Sequence, residues 1–178
     1  MKRVAILGSV GVPFPRTDVA ALPFLATDPV SASAALWGVY QEGLLDDDFD
    51  RIELVALLAL PAAGLHTNVP VTSAADLAGM RIRASDRLSS DLLTALAATP
   101  VTISTADAYQ AISTGVLDGV YTGWAGTVLF RLEEVTDQHL DEDLGGGAGA
   151  VFINDEIYAA LSPEAQAVLH EAGERLVR

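Results

Sequence analysis

Short apolar segments alternate along this chain with segments that carry helix caps, and this alternation limits the folds that the chain can adopt. Residues 4–7 and 52–60 are apolar and have the length of strands. Residues 52–60 are apolar without the alternation expected of a strand with one exposed face. This predicts a central strand in a sheet covered on both faces. Asp28-Pro29 and Ser162-Pro163 each predict a helix start, with proline at the first helical position. Strands that alternate with helices predict an α/β layered sheet.

The remaining segments fit the same pattern. Ser73 with Asp76 three residues later predicts a capped turn, and Thr105 is expected to cap a helix. Residues 61–71 are interpreted as a crossing segment and residues 145–149 as a flexible one. Further strands are predicted at residues 80–84, 101–104, 116–121 and 150–153, and further helices at residues 88–98, 107–114, 124–134 and 154–161.

Charge and composition exclude several classes of function. The 178 residues carry a net charge of −14, which disfavours nucleic acid and anionic membrane surfaces as partners. The absence of cysteine excludes disulfides, thiol catalysis and cysteine–metal sites. No apolar run approaches the length that crosses a bilayer, so no membrane insertion is expected. Residues 4–12 are interpreted as a strand rather than as a signal peptide.

No catalytic set can be defended from the spacing of residues. There is no Gly-x-Ser-x-Gly motif, and the three histidines are scattered without metal-ligand spacing. We therefore expect no enzyme activity, no cofactor and no metal. Gly8-Ser9-Val10-Gly11 is half of a dinucleotide-binding fingerprint. A doubly wound nucleotide-binding enzyme that uses residues 4–11 is the alternative that this motif leaves open.

Two arginines stand out on the predicted strand at residues 80–84. The chain contains ten Lys and Arg and twenty-four Asp and Glu, so basic groups are scarce. An arginine on a short apolar strand needs a negatively charged partner, and its planar fork fits a carboxylate with two parallel hydrogen bonds. That partner is either a bound carboxylate or an acid of the chain itself.

Several motifs in order resemble the substrate-binding proteins of TRAP transporters, the DctP-like family. The resemblance covers nearly the whole chain from Leu22 onward. It is supported by the order and spacing of the motifs and not by any single one of them. The matching residues are Leu22-Pro23-Phe24, the helix with Trp37, Pro70-Val71, Asp76-Leu77-Ala78-Gly79-Met80-Arg81-Ile82-Arg83, Ala98-Thr99-Pro100-Val101, Asp107 with Tyr109, Ala111, Gly115-Val116-Leu117-Asp118-Gly119, Asn154 and Leu161-Ser162-Pro163.

The resemblance implies a periplasmic-binding-protein-like (type II) fold with two α/β lobes that close on a small organic carboxylate. Because members of the family are longer, the chain is expected to be truncated at the N-terminus. Residues 1–64 would then be the remnant of the N-terminal lobe, residues 65–122 the second lobe, and residues 123–178 the connecting and C-terminal helices. The implied function is delivery of the carboxylate to TRAP membrane permease subunits, in the periplasm or elsewhere outside the cytoplasm. A degenerate fragment that binds nothing, or that forms a homodimer through an exposed sheet edge, is a further alternative.

The family arginine falls on Arg83, which the resemblance makes the clamp for the carboxylate. Arg81 is expected to point to solvent, away from Arg83. Thr105 and Thr122 are also expected to bind the ligand, and they stand where the sialic-acid-binding branch has an aromatic residue and an asparagine, which argues against sialic acid.

Three aromatic residues complete the expected ligand-binding set. Trp124 and Tyr121 are equally consistent with ligand contacts and with core packing. His66 is expected either to line the cleft or to be a surface or capping residue. Asp118-Gly119 is interpreted as structural, with the aspartate bonding to nearby amides and the glycine permitting close backbone approach.

Overall fold

The computed structural model describes residues 2–7, 12–25, 28–140 and 142–177. It divides into two compact units. Unit 1 consists of residues 1–61 together with residues 145–178, and unit 2 consists of residues 62–144. The glycine motif at residues 8–11 lies outside the described residues.

Unit 1 contains a three-stranded antiparallel sheet formed by β1 (Lys2–Ile6), β2 (Ile52–Ala59) and β8 (Ala148–Asn154). Strand β8 lies in the centre and pairs antiparallel with both neighbours. The predicted central position of β2 is therefore wrong for the described part of this sheet, where β2 lies at an edge. Its continuous apolar character has another cause, because helices α1 (Pro29–Gln41) and α6 (Pro163–Leu176) both pack against it.

The antiparallel pairing of β1 also bears on the nucleotide-binding alternative. A dinucleotide fold requires the first strand to belong to a parallel βαβ unit. Strand β1 pairs antiparallel with β8 and is followed, in the described residues, by a 3-10 turn at Thr17–Ala21. The described part of unit 1 therefore lacks the framework that this alternative needs.

The helices of unit 1 begin where their caps predict. The Asp28 carboxylate accepts hydrogen bonds from the amides of Val30 and Ser31 at the start of α1. Ser162 caps α6, with proline at the first helical position, and Asn154 caps α5 (Asp155–Ala159). All three starts confirm the sequence-based predictions.

A close contact and one hydrogen bond fix α6 in place. A Cβ atom on Gly173 would overlap the carbonyl oxygen of Val55, so the helix can approach β2 this closely only with glycine there. The indole Nε1 of Trp37 in α1 donates to Glu174 Oε1 at 2.8 Å. The helices and the sheet enclose one core, whose buried members are Leu7, Phe14, Leu36, Trp37, Leu45, Phe49, Leu54, Ala56, Leu57, Ala148, Ala150 and Val177.

Unit 2 contains a five-stranded mixed sheet in the order β5-β4-β6-β3-β7. Its strands are β3 (Gly64–Thr67), β4 (Arg81–Ala84), β5 (Thr99–Thr102), β6 (Gly119–Thr122) and β7 (Gln138–Leu140). Strand β4 is parallel to β5 and β6, whereas β3 is antiparallel to β6 and β7. Strands β3 and β7 were not predicted, and residues 61–71 are therefore more than a crossing segment.

Three α-helices belong to unit 2, namely α2 (Arg87–Ala95), α3 (Thr105–Ser113) and α4 (Trp124–Leu129). The helix predicted at residues 124–134 is interrupted, because Arg131 adopts a left-handed conformation with φ 56° before a 3-10 turn at Leu132–Glu134. The capped turn predicted from Ser73 and Asp76 is present at Ala74–Leu77. Among the described residues, no helix is both long and apolar enough to span a bilayer.

The two faces of the unit 2 sheet support two separate cores. On one face, Ile82, Ala84 and Tyr121 pack with Leu93 of α2. On the other face, Val120 packs with Ala108 and Ile112 of α3 and with Leu132. This alternation along β4 and β6 decides on which face each candidate ligand-binding residue lies.

The unit boundaries differ from the sequence-based division at residues 64 and 122. Residues 123–144 group with unit 2 rather than with the C-terminal helices. The reason is that β7 adds a strand to the unit 2 sheet and Leu132 is buried in its core.

Candidate functional site

The carboxyl ends of β4, β5, β6 and β7 lie along one edge of the unit 2 sheet, because these four strands run in the same direction. Helices α2, α3 and α4 begin within a few residues of β4, β5 and β6, so their N-termini lie at this edge. Helix N-termini present unpaired amides and a partial positive charge. This edge is therefore favourable for an anion and is the place where α/β sheets bind ligands.

Arg83 lies near the carboxyl end of β4 and is buried, with 6% of its surface exposed. Its Nε donates to the carbonyl oxygen of Ile103 at 3.0 Å. Within the described residues, Arg83 forms no ion pair with any acid. Burial lowers the pKa of its guanidinium, and the charge of Asp86 partly opposes that change.

The charge of Asp86 acts on Arg83, but the two form no ion pair among the described residues, and the Asp86 carboxylate caps α2. The carboxylate accepts hydrogen bonds from the Ser89 amide at 2.8 Å and from the Ser85 hydroxyl at 2.8 Å. The structure thus contains a buried guanidinium whose charge is not compensated by an ion pair in the described part of the chain. Burying such a group costs free energy, so its presence points to a function.

Arg81 is exposed, as predicted, but not for the expected reason. Residues two apart on a strand share a face, so Arg81 and Arg83 lie on the same face of β4. They differ in position along the strand, since Arg81 lies at its amino end, away from the helix N-termini. There it forms a two-point ion pair with Asp118, with Nε to Oδ2 at 3.1 Å and Nη2 to Oδ1 at 2.8 Å.

The structural interpretation of Asp118-Gly119 is confirmed. Asp118 also accepts a hydrogen bond from the Arg81 amide at 2.8 Å, and this bond lowers the pKa of its carboxyl together with the larger effect of the side-chain pair. A Cβ on Gly119 would lie 2.6 Å from the His66 carbonyl oxygen. Glycine is therefore required for β6 to approach β3.

His66, His139 and Trp124 form an aromatic cluster beside the same edge. The Nδ1 atoms of the two histidines are 2.9 Å apart, so one carries the hydrogen and the other accepts it. The indole ring centroid of Trp124 is 4.8 Å from that of His66 and 5.2 Å from that of His139. Trp124 is 43% exposed, whereas His66 is fully buried, which excludes the surface interpretation of His66.

One row of paired residues connects Arg83 to this cluster across the sheet. Arg83 is paired with Val120, Val120 with His66, and His66 with His139. Residues paired in this way on neighbouring strands point to the same face. The guanidinium and the two imidazoles therefore share the face that α3 covers.

Tyr121 is not brought together with Arg83. It lies on the opposite face of the sheet, in the core with α2, and its hydroxyl donates to the Leu144 carbonyl oxygen at 2.9 Å. Burial, with the charges of Asp86 and Asp143, raises the pKa of this hydroxyl. Of the two readings left open for Tyr121, the structure matches core packing.

Thr105 and Thr122 lie at the carboxyl edge, and both are half-buried. Thr105 is the first helical residue of α3 rather than its cap, because the Ser104 hydroxyl accepts the hydrogen bond from the Asp107 amide. The Thr122 carbonyl oxygen lies 3.1 Å from His66 Nε2. Two hydroxyl groups are thus available for hydrogen bonds near the row that contains Arg83.

The His66–His139 pair is the part of this site that the sequence analysis missed. The two histidines are far apart in the chain and meet only through the pairing of β3 with β7. Within the described ranges, no three His, Asp or Glu side chains are arranged so that they could hold a metal ion.

The family model of the bacterial extracellular solute-binding proteins, family 7 (DctP), matches residues 4–176. Among solved structures, the chain is similar to a marine metagenome TRAP solute binding protein specific for aromatic acid ligands, in complex with 3-hydroxybenzoate. The identity is 28%, the TM-score is 0.88, and the match covers 98% of this chain and 56% of that chain.

Two further structures show the same similarity. A TRAP solute binding protein from Rhodoferax ferrireducens, in complex with benzoate, is 27% identical over 96% of this chain and 54% of its own, with a TM-score of 0.87. An extracytoplasmic solute receptor from Bordetella pertussis that binds pyroglutamic acid is 28% identical over 97% of this chain and 57% of its own, with a TM-score of 0.84. The chain therefore spans little more than half the length of the structures that it matches, and its fold is that of their corresponding part.

Proposed function

Since the chain belongs to family 7 of the bacterial extracellular solute-binding proteins, we propose that it binds a small organic carboxylate. The ligand is bound outside the cytoplasm, leaves chemically unchanged and passes to the membrane permease subunits of a TRAP transporter. The observation that carries this proposal is Arg83, a buried guanidinium with no ion pair to any described acid.

Arg83 is suited to a carboxylate in both charge and geometry. Its Nε is occupied by the Ile103 carbonyl, which fixes the orientation of the guanidinium plane. A bound carboxylate would supply the missing negative charge through charge-assisted hydrogen bonds, each contributing about 1.5–3 kcal/mol. The helix N-termini at the same edge add a favourable potential for the anion.

The remaining candidates are proposed to select the body of the ligand. Thr105 and Thr122 offer hydroxyl groups at the carboxyl edge, and Trp124 offers an exposed aromatic surface. His66 is proposed to act by holding Trp124 and His139 in place, because it is fully buried and its ring contacts both of theirs. The similar structures support a carboxylate as the common chemical group, since benzoate, 3-hydroxybenzoate and pyroglutamic acid all carry one.

A thermal-shift screen of mono- and dicarboxylates, keto acids and aromatic acids tests carboxylate binding. A ligand at one hundred times its Kd stabilises the folded protein by about 2.7 kcal/mol, and calorimetry then gives the affinity. Arg83→Ala is expected to abolish the shift. Arg87→Ala is the matched control, because Arg87 is exposed and pairs with Asp91 on its own helix. A shift that persists in Arg83→Ala would exclude Arg83 as the anchor.

Two parts of the proposal need separate measurements. Delivery to the permease is tested by ligand uptake into vesicles that carry the TRAP membrane subunits, with and without the added protein. Self-association through a sheet edge stays a prediction, and sedimentation velocity over a range of concentrations tests it.

A further inference from the structure

We propose that the outer face of α4 is the surface through which this chain docks on the membrane subunits of a TRAP transporter. This inference rests on the delivery step of the proposed function and names the part of the chain that makes the contact. It follows from three properties of unit 2: an exposed apolar helix face, the charges around that face and its position beside the candidate ligand-binding edge.

The outer face of α4 consists of large apolar side chains that are exposed. Trp124 is 43% exposed, Val128 66% and Leu129 73%. Residues four apart on a helix are neighbours on its surface, so Val128 lies beside Trp124, and Leu129 extends the same face. Helix α4 contains no charged residue. Apolar side chains that are grouped on an exposed surface mark an interaction site, and tryptophan is among the side chains that contribute most to such interfaces.

The opposite face of α4 is fixed against the sheet. Thr127 on that face is fully buried, and a Cβ atom on Gly126 would lie 2.7 Å from the Thr122 hydroxyl oxygen. The helix is thus in close contact with the end of β6, the strand that precedes it. A rotation that buried Val128 and Leu129 would break this contact, so these two side chains face solvent in the folded chain.

The surroundings of the apolar face are acidic. Residues 124–140 contain one arginine and three acids, Glu133, Glu134 and Asp137. The arginine, Arg131, is already paired with Glu134. Glu133 and Asp137 are exposed and form no ion pair in the described part of the chain, and the 3-10 turn that contains Glu133 packs against α4. Because protein interfaces combine an apolar centre with a polar rim, a complementary partner has an apolar centre and basic groups at its rim.

The position of the face favours the membrane subunits over other occupants. Helix α4 begins at the carboxyl edge of the sheet, and Trp124 contacts His66 and His139 there. A partner seated on the face would therefore lie beside the edge at which the carboxylate is proposed to bind, and a permease that accepts the ligand must approach that edge. A second copy of the chain would bring two acidic rims together, and an anionic membrane surface would repel them.

Surface plasmon resonance with the TRAP membrane subunits held in nanodiscs of neutral lipid measures docking directly. The full chain is passed over these nanodiscs, with and without any carboxylate that the thermal-shift screen identifies, and nanodiscs without protein are the reference. Val128→Ser combined with Leu129→Ser should weaken docking by about tenfold or more, because the apolar centre of the face is lost. The affinity for the carboxylate in calorimetry should not change, since neither residue belongs to the aromatic cluster.

Two further double variants complete the design. Val69→Ser combined with Val116→Ser is the matched control, because both valines are exposed, at 42% and 57%, and lie at the opposite edge of the sheet, after β3 and before β6. This control should dock like the wild type. Glu133→Gln combined with Asp137→Asn tests the acidic rim. The association rate constant of the wild type should fall as salt is raised, and that of the rim variant should fall less, because salt screens the charges that were removed.

Each outcome supports or overturns a defined part of the proposals. Unchanged docking of the Val128 and Leu129 variant would overturn the inference and leave delivery through another surface. The inference is also overturned if this variant instead loses binding to nanodiscs without protein, which would assign the face to lipid. Loss of self-association in sedimentation velocity would assign it to a second copy, and salt-independent docking would overturn the basic partner.

The proposed function and this inference can fail separately. If the wild type binds a carboxylate in calorimetry but does not dock, the docking surface and the delivery step are both wrong, and carboxylate binding stands. If the wild type docks through α4 but binds no carboxylate, the proposed ligand is wrong and the docking surface stands.

Discussion

Replacement of Arg83 by methionine should stabilise the ligand-free protein. Methionine has a similar length and no charge, so Arg83→Met removes the charge of a residue that is 6% exposed and has no ion pair to a described acid. The cost of burying an unpaired ion is several kcal/mol, and replacement of buried ions by apolar side chains of similar size is often stabilising. Most proteins lose stability when a buried side chain is changed, so a gain would be diagnostic.

The expected gain follows from two opposing contributions. Loss of the hydrogen bond from Nε to the Ile103 carbonyl costs about 1 kcal/mol. Removal of the buried charge offsets this cost and leaves a net gain of about 1–2 kcal/mol, or roughly 2–8 °C in Tm for a chain of this size. Thermal and urea unfolding followed by circular dichroism measure both quantities.

Arg81→Met on the same strand is the matched control. It removes the side-chain bonds to Asp118 and to the Gly115 carbonyl, from a group that is half-exposed, and should destabilise by about 1 kcal/mol. Opposite signs for the two variants are the expected result. If both variants lose stability to a similar extent, Arg83 is a structural residue and the argument from its uncompensated charge is refuted.

Three further predictions concern the framework. Gly173→Ala should lower the free energy of unfolding, measured by urea denaturation, by about 2 kcal/mol or more, because its Cβ would overlap β2. Gly38→Ala is the control and should raise this free energy by roughly 0.5–1 kcal/mol, because the space around its Cβ is open. Asp118→Asn should lower the free energy of unfolding at pH 6–8, because pairing with Arg81 lowers the Asp118 pKa in the folded state. The stability that Asp118 contributes is present above the unfolded pKa of about 3.9 and disappears as pH falls through the lower folded value. The stabilities of wild type and variant should therefore converge in acid. His139→Ala should cost about 1 kcal/mol in the same assay, and no loss would exclude an energetic role for its hydrogen bond to buried His66.

Local signals made much of the fold predictable from the sequence. Helices start at Asp28, Asn154 and Ser162 because these side chains satisfy amides that the helix itself leaves unpaired. The strand that carries Arg83 and its place in an α/β sheet were also correct. The family match over residues 4–176 confirms the resemblance that the ordered motifs indicated.

The errors arose where tertiary pairing decides the structure. Strands β3 and β7 have four and three residues and no alternating pattern, and they exist because neighbouring strands supply their hydrogen bonds. Because these strands were not predicted, the sequence analysis missed the contact between His66 and His139. It also ended the second unit at residue 122 instead of residue 144. Neither charge nor periodicity predicted that Arg83 is buried. The hydrogen-bond acceptor of its Nε is a backbone carbonyl rather than an acid of the chain.

The topology of unit 1 has a consequence for the order of folding. Its central strand β8 comes from the last part of the chain, while the strands on either side of it come from the first part. During synthesis from the amino terminus, β2 must wait about ninety residues of elongation, and β1 about 140, before β8 between them emerges. Unit 2 is contiguous, so all its pairings become available first, and we expect it to acquire protease resistance on the ribosome before unit 1 does.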